Sequence, residues 1–115
     1  MAAMEAKGLG GRAIFNGETI TITRESHAVR RRHGSGDMVI PLRRVIGVTF
    51  HKPNFWHHGA IRFKIEGDTP PFRLLKGGPA SEAFMDPYGM RFLKKHQAEF
   101  EAIKDSVNAA IAASA

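Results

Sequence analysis

Residues 61–65 alternate without a break: Ile61, Phe63 and Ile65 fall on one side, while Arg62, Lys64 and then Glu66 fall on the other. Period-two alternation is the mark of a strand with one buried and one wet face. This arm belongs to a longer unit, Ile40 to Glu66, that reads as two strands joined by a loop. The loop carries Phe55 and Trp56 beside Pro53, Asn54 and Gly59. Two large aromatics in such a setting must be tucked away or offered to a partner.

Near the C-terminus the period changes. Phe100, Ile103, Val107, Ala110 and Ile111 recur at helical spacing, with Glu101, Lys104, Asp105 and Asn108 elsewhere around the wheel. Glu99 and Glu101 lie near the start, where negative charge suits the helix dipole. The spacing predicts one amphipathic helix over about 97–112, with residues 113–115 as a frayed tail.

Between the lead-in and the helix, the pattern is that of short strands. Arg12 to Phe15 and Thr19 to Arg24 flank Asn16-Gly17, a pair that favours the positive φ angles of a type I′ hairpin turn. In the second arm Ile20 and Ile22 share the core face and the threonines the other. Glu25 to His33 carries a weaker strand pattern through Ala28 and Val29, then runs through Arg30-Arg31-Arg32 into Gly34-Ser35-Gly36, a loop signal. Asp37 to Leu42 reads as a short strand at an edge or bulge, because Pro41 cannot donate to a ladder. Arg43 to His51 follows, and its apolar residues break alternation near Gly47, which predicts a bulge there. Phe72 to Leu75 is a further strand, and Ser81 to Met85 with Met90 to Leu93 a hairpin around Asp86–Gly89. Residues 1–11, with three glycines and no periodic pattern, are expected to be a flexible lead-in.

At 115 residues the chain holds one domain, expected over residues 12–112. The absence of cysteine excludes disulfides, thiolate chemistry and Cys-based zinc sites. No apolar run approaches the ~18 residues needed to span a bilayer, and the N-terminus lacks the layout of a secretory signal, so a cytoplasmic location is expected. The net charge of +6 is uneven: residues 1–64 hold 11 Lys and Arg against 4 Asp and Glu, the remainder 6 against 7. A basic half suits an anionic partner such as lipid headgroups, nucleic acid or an acidic protein face.

About seven strands and a final helix make a mainly β (β+α) plan, in which the helix covers an open end of a small barrel. That order resembles the pleckstrin-homology-like (PH-like) superfamily, and most closely a bacterial branch of small uncharacterised domains common in actinobacteria. The residues that carry the resemblance are Phe15 to Arg24 (FNGETITITR), Ile40 to Val48 (IPLRRVIGV), Gly59 to Phe63 (GAIRF), Asp86 to Phe92 (DPYGMRF) and the terminal helix. Together they span roughly residues 8 to 111 of the chain. The resemblance implies a partly open barrel of two packed antiparallel sheets, capped by the helix, that binds lipid headgroups, peptides or proteins and is not an enzyme. Eukaryotic members hold lipid phosphates with a Lys followed by Arg-x-Arg. Here Arg30 and Arg32 supply the second part and Arg24 or Arg12 stands in the upstream position, but with no Lys in place the headgroup site does not carry over.

Arg30, Arg31 and Arg32, beside a Gly-Ser-Gly loop, can clamp phosphates because guanidinium forks match phosphate oxygens in pairs; equally, a basic loop is often simply solvated. Phe55 and Trp56 suit a protein contact or a membrane interface, since Trp is enriched at both, and Trp56 can instead fold back as a lid on the barrel mouth. His51, His57 and His58 lack nearby carboxylates, so no metal site is expected. No nucleophile sits with a base, Gly34-Ser35-Gly36 lacks the strand-turn-helix setting of a catalytic serine, and the early glycines precede any strand, so neither catalysis nor a cofactor is expected. The expected role is an interaction module for a protein partner, for itself or for an anionic membrane surface, at which it would be peripheral. A small barrel binding single-stranded nucleic acid is the alternative from another class.

Overall fold

A computed structural model of the chain describes residues 3–25, 37–55, 57–67 and 88–114. Within them lie seven antiparallel strands in two sheets that do not close on each other, and one C-terminal helix. The four-stranded sheet runs in chain order through β1 (Met4–Gly8), β2 (Gly11–Phe15), β3 (Thr19–Arg24) and β4 (Met38–Pro41). A 3-10 turn at Leu42–Arg44 leads into the three-stranded sheet of β5 (Val45–His51), β6 (Gly59–Ile65) and β7 (Gly89–Phe92). Helix α1 (Gln97–Ser114) follows a second 3-10 turn at Lys94–His96.

The alternating segments bury the expected faces. Ile20 and Ile22 face inward from β3, and Ile61, Phe63 and Ile65 from β6, while α1 contributes Phe100, Ile103 and Val107. At the centre the Phe92 ring lies between Phe50 (centroids 5.5 Å apart) and Phe100 (4.6 Å). This column ties the two outer strands of the three-stranded sheet, β5 and β7, to the helix. Lys104 caps it, its ammonium 5.0 Å from the Phe50 ring centre.

Pro41 ends β4, an outer strand of its sheet as proline requires. The β5–β6 register shifts between Val45 and Gly47, so the expected bulge is present. Two local expectations are corrected. Residues 4–8, read as a lead-in, form a strand paired with β2 from Met4↔Phe15 to Gly8↔Gly11. The strand keeps period two, but of its inward residues only Met4 is large: Gly8 has no side chain and Ala6 is fully buried opposite Ala13. It is also tied to the helix, because the Lys7 N–H donates to Glu99 Oε1 at 3.1 Å.

The turn between β2 and β3 is not type I′. That geometry needs positive φ at Asn16, whereas among the described residues only glycines have it, Gly17 at 98°. Asn16 instead caps the loop with its side chain, Oδ1 accepting from Glu18 N at 2.9 Å and Thr19 N at 2.8 Å. The expected strands at 72–75 and 81–85, and any strand through 28–29, lie outside the described residues.

Candidate functional site

The loop between β5 and β6 is closed on itself around Asn54 and His57. Asn54 N donates to the His57 carbonyl at 3.0 Å, and His57 N donates to Asn54 Oδ1 at 2.8 Å. An asparagine side chain bonding the backbone three residues on makes a tight turn without demanding glycine. It pushes position 55 outward: Phe55 is 89% exposed, the most exposed large hydrophobic residue among those described. At the base of the same hairpin Phe50 is held in the aromatic column, so an anchored stem carries an exposed aromatic tip.

The chain segment that carries this tip has charge of one sign. From Met38 to Ile65 the chain has no Asp or Glu, but it has Arg43, Arg44, Lys52, Arg62 and Lys64, and His51, His57 and His58 as well. Lys52, His51, His57 and His58 are all exposed around Phe55. This acid-free run was visible in the sequence; counting charge by halves of the chain diluted it.

The other proposed residues are placed differently. Arg24 is only 6% exposed, and its guanidinium donates to the Gly89 carbonyl at 3.4 Å. It continues the inward face of Ile20 and Ile22, since residues two apart share a side of a strand, so it braces β3 against β7 and is not offered to a ligand. Arg24→Ala is therefore expected to cost about 1–3 kcal/mol in stability and to leave any loop-mediated binding unchanged, as urea melts and a binding titration on the same variant would show. Arg12, the other upstream cation, pairs with Glu5 at 3.0 Å and Glu25 at 3.1 Å. The hydrogen bond to Glu5, aided by the charge of Glu25, raises its pKa. Trp56 and Arg30, Arg31 and Arg32 lie outside the described residues.

Among the described residues no three His, Asp or Glu side chains are grouped as metal ligands would be, and no helix is long and apolar enough to cross a membrane.

Two open antiparallel sheets, a covering helix and a basic hairpin with an exposed aromatic tip define a small β+α domain. The chain belongs to a family described as a domain of unknown function, DUF4429, whose model matches residues 13–108, from β2 through most of α1. No curated protein and no solved structure matches it.

Proposed function

We propose that this domain is a non-catalytic, bacterial PH-like interaction module of the cytoplasm that docks through its β5–β6 loop onto an anionic face, either of a protein or of a membrane to which it is peripheral. The order of strands, their division into two sheets and the terminal helix support the PH-like reading. Phe55 carries the binding reading. A phenylalanine held almost wholly in water by a closed turn presents apolar surface to a partner, and the acid-free, basic segment that carries it suits a negatively charged one. A second copy is a poorer complement, because the chain is itself +6. Single-stranded nucleic acid would need a row of outward aromatics to stack on; Phe63 is buried and Phe50 is packed against Phe92, and among the described residues Phe55 is the one exposed aromatic.

The single tryptophan, Trp56, adjoins Phe55 and reports on the loop. At low salt, phosphatidylserine-containing vesicles or poly-glutamate should shift its emission to the blue. Phe55→Ser should weaken the effect by about 2 kcal/mol, and rising salt should weaken it further. A shift with vesicles alone identifies a lipid face, and one with poly-glutamate alone a protein face. If neither probe changes the emission, the tip is not a docking surface for anions.

A further inference from the structure

At the opposite end of β5, about 20 Å from the aromatic tip, lies a cleft of about 680 Å³. Four separate parts of the chain build it: the β2–β3 turn through Glu18, the 3-10 turn through Leu42 and Arg43, the start of β5 through Val45 and Ile46, and the end of α1 through Ile111. The volume is in the range of sites that seat small ligands or anchoring side chains. Its walls are mainly aliphatic, and its two charged side chains, Arg43 and Glu18, come from different segments.

The bulge explains one lip. Val45 pairs with Ile65 and Gly47 with Lys64, so the ladder passes over Ile46. Ile46 is 61% exposed and lines the cleft, although its neighbour Val45 is buried in the core. An extra residue in one strand re-aims a side chain, and bulges are over-represented beside functional sites. The charges set the second requirement. Arg43 and Arg44 are both exposed, and neither guanidinium meets a carboxylate among the described residues. Glu18 is likewise in no ion pair there.

We infer that this cleft seats a short acidic and apolar segment of a partner protein. One aliphatic or aromatic side chain enters between Leu42, Val45, Ile46 and Ile111. A carboxylate next to it pairs with Arg43, within reach of Arg44, and Glu18 accepts a hydrogen bond from a backbone N–H of the segment. A fatty carboxylate would fill the apolar part and meet the arginine, but it carries no donor for Glu18. The peptide satisfies all three. This site is independent of the aromatic tip and stands whether or not the tip docks.

The experiment is selection of a random heptapeptide display library on the full chain, followed by titration of the enriched peptides. Enriched sequences should place Asp or Glu within a few positions of Leu, Ile, Val, Met or Phe. Arg43→Glu and Ile46→Asp should each weaken them by about ten-fold or more, and Phe55→Ser should not. Both altered side chains are exposed, and equal thermal melts confirm folding. Decanoate titrated against the same amide resonances of residues 42–46 tests the small amphiphile. Peptides weakened by Phe55→Ser are ligands of the tip. The proposal is overturned if the enriched peptides that Phe55→Ser leaves unaffected bind the two cleft variants as well as the parent or lack acidic residues, if every enriched peptide is a ligand of the tip, or if decanoate binds and no peptide does.

Discussion

Phe92→Ala should lower stability by about 3–5 kcal/mol, the range for a fully buried aromatic truncated in a packed core. The ring is completely buried and stacked on both sides, nearly parallel to Phe100 at 13° and to Phe50 at 25°. Opposite it in the sheet stands Gly59, and a side chain there would run into the Phe92 ring. The glycine leaves the space that the ring occupies, and once the ring is gone it has no atoms with which to refill it. The loss therefore combines removed apolar contact with a cavity that its rigid neighbours cannot close. Domains of this size have only about 5–15 kcal/mol in hand, so the variant should melt more than ~10 °C lower. Phe92→Leu, which retains part of the fill, should cost less. Urea denaturation of the three proteins decides it: a loss below about 1 kcal/mol for the alanine variant would mean that the column does not hold sheet and helix together.

The parts of this fold that were legible in the sequence are those in which a large apolar residue occupies every inward position. Ile20 with Ile22, the triplet Ile61, Phe63 and Ile65, and the Phe100, Ile103, Val107 stripe each announce their period because every inward site is filled by a bulky side chain. The bulge was legible for the opposite reason, since Val45, Ile46 and Val48 cannot all face one way in a regular strand. Strand β1 was not legible. Of its inward residues only Met4 is large; Ala6 and Gly8 give little hydropathy contrast with Glu5 and Lys7 even though the period is intact. The turn failed differently: Asn-Gly sets where the chain reverses, but whether asparagine adopts positive φ or caps with its side chain depends on register, here Phe15↔Ile20.

The candidate surfaces divide along the same physical line. Phe55 could be found locally, since an aromatic between proline, asparagine and glycine stands out against any core pattern. The burial of Arg24 was also in the sequence, two residues beyond Ile22 on an alternating strand; its charge drew attention from its position. The cleft could not be found that way. Glu18, Leu42, Ile46 and Ile111 meet only because the sheets and the helix pack as they do, and no window of sequence contains them together.

Gly11→Ala should destabilise the domain by about 3 kcal/mol or more, while Gly47→Ala should be neutral or stabilise by about 0.4–1 kcal/mol. Both glycines sit in strands, and neither has a positive φ. If chain entropy were the only term, both substitutions would help, because alanine has fewer unfolded conformations to lose. What separates them is the space beside each Cα. A methyl group on Gly11 would overlap the carbonyl of Thr23 on the paired strand β3, and backbone held in a ladder cannot turn aside as a flexible side chain does. Relief requires β2 and β3 to part, at the place where the Arg12 N–H also donates to Thr23 Oγ1 at 3.0 Å. A methyl group on Gly47 would meet only Lys64 Cδ at 3.9 Å, an ordinary contact with a mobile chain. Denaturant midpoints of the two variants against the parent give opposite signs if close backbone approach governs Gly11. Equal shifts would show that the glycine in β2 is dispensable and that the approach of β2 to β3 is looser than the ladder implies.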